Sequence, residues 1–200
     1  HELRRLLLGA LTLDPGDPGP PVLPDLPLPG VLPAVPEAGW ADAVVEDEVL
    51  EFYEDPFGGG APNVVSDPTL ALGPPDGTSA GAVAVGIIGN YFTIEFADGE
   101  EALDGPGEDV LVVESDPRTG GAPEPYRVWA ADAADAPFVP LGDGYGAMGF
   151  DLAGSGLDRA RRVRVGGLST ALDINRGPGS PLYPGAEIDA VGAVHLPAVD

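Results

Sequence analysis

The sequence contains no cysteine and no lysine, and both absences limit what the chain can be. Without thiols it forms neither a disulfide framework nor a thiolate metal site. All nine basic residues are arginine, and 33 acidic residues outnumber them, so the formal net charge is −24. This charge repels nucleic-acid phosphates and attracts divalent cations, so we expect no nucleic-acid partner. Adaptation to salt or the residue usage of a GC-rich genome explains the acidity equally well.

Histidine is also scarce. Only His1 and His195 supply imidazoles, and the sequence shows neither a Ser–His–Asp arrangement nor a zinc motif. The acidic run Glu46–Glu48 could supply the two carboxylates of a glycoside hydrolase, but a solvated strand edge explains it better. The glycines at 58–60 lack the Lys and Ser/Thr that follow in a phosphate-binding loop. The sequence therefore predicts a protein that is not an enzyme.

Long apolar runs are missing as well. A membrane-spanning helix needs about 18 or more consecutive apolar residues, so we expect no membrane span. The sequence starts with His1 rather than Met, and Arg4-Arg5 followed by Leu6–Leu8 resembles the charged and apolar parts of a signal peptide. The apolar run is short, and no clear small-residue cleavage site follows it. We expect a mature form of the protein, with removal of a signal left open.

What the sequence does contain, over residues 40–198, is the pattern of an all-β domain. Tyr91–Phe96 alternates cleanly and places Phe92, Ile94 and Phe96 on one face. Arg162–Val165 alternates in the same way, with its arginines directed outward. The further predicted strands are Val44–Tyr53, Ala82–Ile88, Asp109–Glu114, Tyr126–Ala131, Pro137–Leu141 and Ile188–Leu196.

Turn-forming residues are abundant, with 30 glycines and 24 prolines. Asp98-Gly99, Asp104-Gly105 and Gly142-Asp143-Gly144 are turn signals that separate several of the predicted strands. About eight short strands with this spacing predict an all-β fold, an antiparallel β-sandwich or jelly roll, over residues 40–200.

Residues 1–39 predict a separate, extended tail. Nine prolines lie between Pro15 and Pro36, interleaved with apolar side chains. Proline fixes φ and removes amide donors, so the segment should be polyproline-like rather than a central strand. Near the start, Leu3, Leu6, Leu7, Ala10 and Leu11 suit a helix, whereas Leu6, Leu8 and Ala10 suit a strand, and periodicity does not separate the two.

This tail is too apolar to remain in water, because soluble monomers seldom expose long apolar surfaces. We predict that it packs into a groove on an adjacent copy, a head-to-tail contact that propagates into filaments or polymers. The proline-free stretch Leu3–Leu13 could add to a neighbour's sheet edge. A passive cell-wall spacer is the alternative. The side chains expected to mediate self-association are Leu3, Leu6, Leu8, Val22, Leu26, Leu28 and Leu32.

Two carboxylate-bearing segments, Ala71–Thr78 and Glu187–Val191, predict a calcium site that joins the ends of the sandwich. Calcium takes six to eight oxygens at about 2.3–2.6 Å, and tight Gly/Pro loops present backbone carbonyls well. The expected ligands are the carboxylates of Asp76 and Glu187 and the carbonyls of Ala71 and Thr78. A second candidate site consists of Asp104, Asp109 and Glu114. In the alternative interpretation, Asp76-Gly77 and Asp104-Gly105 are merely turns.

Five blocks in order resemble bacterial secreted cell-surface proteins with a discoidin-like, galactose-binding-like jelly roll. They are Ala41–Val45, Ala71–Gly77, Leu103–Glu114, Tyr126–Leu152 and Glu187–Val191, and together they extend over about residues 40–198. The resemblance implies an extracellular, cell-surface location, a structural calcium and often glycan or surface binding by loops at one end.

Two functions remain open from the sequence. The first is a structural protein that self-associates into an extracellular fibre or layer. The second is a carbohydrate-binding module for cell-surface polysaccharide, in which Trp129, Tyr145 and Tyr183 stack on sugar rings. Aromatic side chains in a sandwich also serve as core or rim packing. The apolar, Pro-rich tail favours the first function, because a lectin has no need of it.

Overall fold

The computed structural model describes residues 32–49, 67–78, 81–115, 124–168 and 185–198. The chain divides into two compact units, His1–Val31 and Leu32–Asp200, and all described residues belong to the second. Most of the predicted tail therefore lies outside the described residues, as do Tyr183 and the predicted strand beyond Val49. The tail positions concerned are Leu3, Leu6, Leu8, Val22, Leu26 and Leu28.

The regular secondary structure of the described residues is almost all β, as the sequence predicted. Two short 3₁₀ helices, Glu37–Gly39 and Pro68–Ala71, accompany the strands, and no helix among the described residues is long and apolar enough to cross a membrane. The strands are β1 Ala43–Asp47, β2 Val83–Ala84, β3 Tyr91–Glu95, β4 Ala102–Leu103, β5 Val110–Glu114, β6 Tyr126–Ala131, β7 Val139–Gly144, β8 Met148–Phe150, β9 Arg159–Ala160, β10 Arg162–Gly167 and β11 Glu187–Ala193.

The strands form two main antiparallel sheets. A five-stranded sheet has the order β1-β3-β10-β6-β7, a four-stranded sheet has the order β2-β11-β5-β8, and β4 pairs with β9. Both main sheets contribute side chains to one buried cluster, so the fold is a β-sandwich. Representative members are Phe92, Ile94, Val128, Val163 and Val165 from the five-stranded sheet and Val110, Val112, Ile188 and Val191 from the four-stranded sheet.

The alternation read from β3 and β10 places their apolar side chains in the core. Val163 pairs with Ile94 and Val165 pairs with Phe92, and all four are fully buried. Burying a side chain of this size stabilises the fold by roughly 1.5–3 kcal/mol. The intervening arginines therefore lie on the outer face of the five-stranded sheet.

The prediction of a turn at Gly142-Asp143-Gly144 was wrong, because these residues lie within β7. They pair with Val128, Arg127 and Tyr126 of β6. A Cβ at Gly144 would lie 2.5 Å from the Tyr126 ring. The glycine is therefore needed for the close approach of a buried aromatic ring rather than for chain reversal.

The predicted strand Ala82–Ile88 is much shorter in the structure. Only Val83–Ala84 is a strand, because Gly86 adopts a φ of 100°, which takes the chain out of the extended conformation. Ile88 at its end is 60% exposed.

The beginning and the end of the described domain lie side by side. Trp40 forms a bridge with Gly192, and the Ala41 N–H donates to the Val191 carbonyl at 3.0 Å. The Val35 side chain also packs against Gly192, since a Cβ at Gly192 would lie 2.9 Å from Val35 Cγ1. Strand β1 itself pairs with β3 in the other sheet, so the contact with the last strand is made by the residues that precede β1.

Glu95 of β3 binds two arginines, Arg161 just before β10 and Arg162 at its start. It accepts hydrogen bonds from Arg161 at 2.9 and 3.1 Å and from Arg162 at 2.6 Å. Burial opposes ionisation of Glu95, but the arginine hydrogen bonds outweigh it and hold the pKa of Glu95 below its ordinary value. The ionised carboxylate thus contributes stability that is lost when the pH falls through this lowered pKa.

We predict that Glu95→Gln lowers the free energy of unfolding at pH 7 by roughly 1.5–3 kcal/mol, the range for hydrogen bonds to charged groups. The difference from the wild type should shrink as the pH falls below the ordinary value of 4.5, because the native carboxylate then becomes protonated too. Urea unfolding at several pH values measures this. Glu37→Gln, at an exposed position, serves as the control and should change little at any pH. A constant difference between wild type and Glu95→Gln at all pH values would contradict the assignment.

Candidate metal centre and aromatic groove

Three aspartates from two loops meet at one end of the sandwich. Asp104 follows β4, Asp109 precedes β5 and Asp151 follows β8. Each offers a carboxylate oxygen, and these oxygens lie within 4.8 Å of one another. Asp109 is buried, whereas Asp104 and Asp151 are exposed. This cluster, Asp104/Asp109/Asp151, can hold a metal ion, and two of its three members were predicted from the sequence.

Asp109 also holds the loops around the cluster together. Its Oδ1 accepts the Gly105 N–H and its Oδ2 accepts the Leu152 N–H, each at 2.8 Å. Burial raises the pKa of Asp109, and these two N–H donors offset the effect only in part. A cation beside the carboxylate would favour its ionised form and remove this cost.

His195 lines the same end of the sandwich. Its Nε2 lies 3.8 Å from Asp109 Oδ1, and its backbone carbonyl accepts the Leu103 N–H at 2.9 Å. The imidazole packs against Gly105, where a Cβ would collide with the ring. His195 is thus a partly exposed packing residue beside the cluster.

Glu114, the third residue of the second predicted site, is not part of this cluster. It ends β5 whereas Asp109 precedes the strand, and an extended strand spaces residues by about 3.3 Å each. Its carboxylate accepts the N–H groups of Gly146, at 2.5 Å, and Glu124, at 3.1 Å. Glu114 therefore holds loops at the opposite end of β5.

The first predicted site joins a loop to the last strand, but a different carboxylate makes the observed connection. Asp189 is 2% exposed and accepts the N–H groups of Asp76, at 3.2 Å, and Gly77, at 2.9 Å. Asp76 is exposed, and its own Oδ1 accepts the Thr78 N–H at 2.7 Å. Asp189 belongs to the segment singled out in the sequence, although it was not predicted as a ligand.

The other predicted members of that site surround this connection. Glu187 is fully buried at the start of β11. Ala71 is buried at the end of a 3₁₀ helix, and Thr78 is exposed. A shared ion between Asp76 and Glu187 stays a prediction. Among the described residues, the group of three metal-ligating side chains is Asp104/Asp109/Asp151.

A second feature, here called the aromatic groove, lies on the outer face of the five-stranded sheet. It has a volume of about 410 Å³. Its lining includes Tyr91 from β3, Arg164 from β10, Trp129 from β6, and Phe138 and Ile88 from the adjoining loops. Its residues come from neighbouring strands, so the register of the sheet fixes their spacing.

Arg164 makes one wall of this groove rigid. Its guanidinium lies between two rings, with Cζ 4.2 Å from the Tyr91 centroid and 4.1 Å from the Phe138 centroid. It also donates to Thr93 Oγ1 at 3.0 Å and forms an ion pair with Glu46. The Tyr91 hydroxyl donates to Glu46 at 2.8 Å, and this bond, together with burial, raises the pKa of Tyr91.

Trp129 forms the floor beside this wall. A Cβ at Gly166 would come within 2.9 Å of the indole, so glycine at this position allows the ring to lie over β10. Arg127 lines the groove further along β6 and is held by Asp143 through two hydrogen bonds, the longer of 2.8 Å.

Of the three aromatic residues predicted to bind ligand, Trp129 lies in the groove. Tyr145 is half-buried between β7 and β8 and does not line it, and Tyr183 lies outside the described residues. Tyr91 and Phe138 were missed. The alternation of β3 directs Tyr91 outward and could have pointed to it, whereas no feature of the neighbouring sequence points to Phe138.

Comparison with known proteins identifies no family. No family model and no curated protein matches the sequence. Among solved structures, part of the chain is similar to a GH29 fucosidase mutant from Ruminococcus gnavus in complex with fucose, with 16% sequence identity and a TM-score of 0.30. The match covers 60% of this chain and 20% of the fucosidase, and a similarity this weak says nothing about function.

We predict that Asp189→Ala lowers the free energy of unfolding by roughly 2–4 kcal/mol, because two N–H groups lose a charged acceptor at a buried position. Thermal or urea unfolding measures the change. Asp132→Ala removes an exposed aspartate from a turn and should cost less than about 0.5 kcal/mol. Equal effects of the two substitutions would show that the link between the loop and β11 adds little stability.

Proposed function

We propose that this chain is an extracellular structural module, without enzymatic activity, that self-associates into a surface fibre or layer. Its N-terminal segment makes the contact between copies, and calcium fastens the loops of its β-sandwich. The chain lies at or outside the cell surface.

The observation that carries this proposal is an apolar, Pro-rich segment placed before a sandwich that has its own core. The buried cluster of the described domain is drawn from Ala41 and later residues. Nine prolines between Pro15 and Pro36 disfavour pairing of that segment into a central strand. Its leucines and valines are best buried on another copy, and a contact between unlike surfaces propagates.

The Asp104/Asp109/Asp151 cluster supports the calcium part of the proposal. Three carboxylate oxygens from two loops, within 4.8 Å of one another, suit a hard cation, and backbone carbonyls and water complete such a site. The net charge of −24 draws divalent cations to the surface. Bound calcium would join the loops that follow β4 and β8 to the start of β5.

Saccharide binding is the second candidate function. It is favoured by one observation, the position of Trp129 in a groove beside the Arg127–Asp143 pair. An indole face can stack on a sugar ring, and polar side chains can bind its hydroxyls.

We predict that calcium raises the melting temperature of the wild-type chain and that chelator reverses the increase. Binding to the native state alone adds about 2.7 kcal/mol when the ligand is at a hundredfold excess over Kd. The double variant Asp104→Asn/Asp151→Asn should lose most of this response. Asp132→Asn/Asp135→Asn removes the same charge from exposed positions elsewhere and should keep it. A response that is the same in both double variants would place the ion elsewhere.

We predict that deleting residues 1–31 abolishes self-association and leaves a folded monomer. The deletion ends before Val35 because that side chain packs beside Gly192 of β11. Sedimentation velocity measures assembly, and calcium-dependent melting shows that the shortened chain is folded. If the shortened chain assembles as well as the full chain, the tail is a spacer and the proposal is wrong.

A further inference from the structure

We propose that the aromatic groove is the docking site for the Pro-rich segment, residues 14–31, of a second copy of this chain. The inference rests on the proposed self-association and names the surface that receives the tail.

The groove has the shape and chemistry that extended Pro-rich segments require. Such segments bind in aromatic-lined grooves, where their rings and aliphatic side chains pack on rigid faces and little chain entropy is lost. Trp129, Tyr91 and Phe138 supply three rings, and the stacking of Arg164 between two of them holds that wall in place. Ile88, which is 60% exposed, extends the apolar surface at the edge of the groove.

Hydrogen-bonding capacity also matches. A Pro-rich segment has a carbonyl at every residue but few N–H groups, so it needs donors from its partner. The lining includes the guanidinium groups of Arg127 and Arg164 and the indole of Trp129, which only donate, together with Asn90 and Tyr91, whose side-chain oxygens can also accept. The nearby carboxylates of Glu46 and Asp143 are held by these arginines.

Charge points the same way. Residues 14–31 carry Asp14, Asp17 and Asp25 and no basic residue. Arg127 is 42% exposed, and its two hydrogen bonds to Asp143 use Nε and Nη2 of a group with five donors. Asp143 and Glu46 balance the two arginines of the groove, so this surface is less acidic than a chain with a net charge of −24 is on average, which favours it for an acidic segment.

The position of residues 35–40 favours a partner copy. Val35 and Trp40 lie against Gly192 of β11, whereas the core residue Ala41 points inward. These residues are therefore on the outside of the four-stranded sheet, whereas the groove is on the outside of the five-stranded sheet. The chain thus enters the domain on one layer, whereas the groove lies on the other. A contact between these two unlike surfaces repeats from copy to copy.

The test compares the assembly of three full-length chains by sedimentation velocity. Ile88→Asp places a like charge at the groove and changes an exposed residue, so folding should be preserved. We expect association to weaken about tenfold or more, which corresponds to about 1.4 kcal/mol. Val45→Asp is the matched control, because Val45 is an exposed aliphatic residue, 39% accessible, that does not line the groove. It should assemble like the wild type.

A synthetic peptide of residues 14–31 provides an independent measurement. Added to the full-length chain, it should dissociate the assemblies and change the fluorescence of Trp129, which is one of only two tryptophans. Ile88→Asp should abolish the fluorescence change, whereas Trp40→Phe should keep it. Galactose and fucose are tested in parallel, and neither should displace the peptide.

The outcomes separate this inference from the proposed function. If the wild type assembles through residues 1–31 but Ile88→Asp assembles equally well, the groove is not the docking site although self-association stands. If galactose or fucose changes Trp129 fluorescence and the peptide does not, the groove is a saccharide site and the inference is overturned. A wild type that stays monomeric at every concentration would overturn both.

Discussion

The face-to-face packing of two antiparallel sheets is the constraint on which the rest of this structure depends. Inward side chains of β3, β6 and β10 meet those of β5 and β11, and this packing excludes water from nearly all of them. Because alternate side chains of each strand point into the core, the intervening ones lie on the outer faces. The aromatic groove and the arginine network are therefore products of the same alternation that builds the core. The acidic cluster, in turn, forms where the ends of β4 and β8 meet the start of β5.

Strands with clear alternation or compact apolar runs were readable from the sequence. The predicted bounds of β6 agree with the structure, and those of β3 and β10 differ by only one or two residues. Strands β4, β8 and β9 have two or three residues each, too few to show a period. Glycine explains why the predicted turn at 142–144 was wrong and why the predicted strand Ala82–Ile88 is shorter in the structure. At Gly144 it admits the Tyr126 ring into the sandwich, and at Gly86 it ends an apolar run. The first effect depends on a ring from a neighbouring strand and the second on a backbone conformation, and neither is visible in the local sequence pattern.

The candidate sites show the same limit. Asp104 and Asp109 are the two ends of a single Gly-rich loop, with four residues between them, and were found together. Asp151 joins them because Val110 of β5 pairs with Phe150 of β8. Without that register, no feature of the sequence connects Asp151 to the cluster. Similarly, the sequence marked Asp189 only as part of the segment Glu187–Val191. Its hydrogen bonds from the Asp76 and Gly77 N–H groups follow from the path of that loop in the fold. The composition shows an excess of carboxylates, but only the fold determines which of them lie close together.

Both tryptophans lie over a glycine on a neighbouring strand, Trp40 over Gly192 and Trp129 over Gly166. In each case a Cβ would come within 2.9 Å of the indole, so the smallest possible substitution would push a large ring away from the sheet. The two glycines face away from the core, and the damage would therefore appear on the outer surfaces rather than in the packing between the sheets. Substitutions at these two positions would therefore reshape the outer surfaces of the sandwich while the packing between the two sheets stays in place.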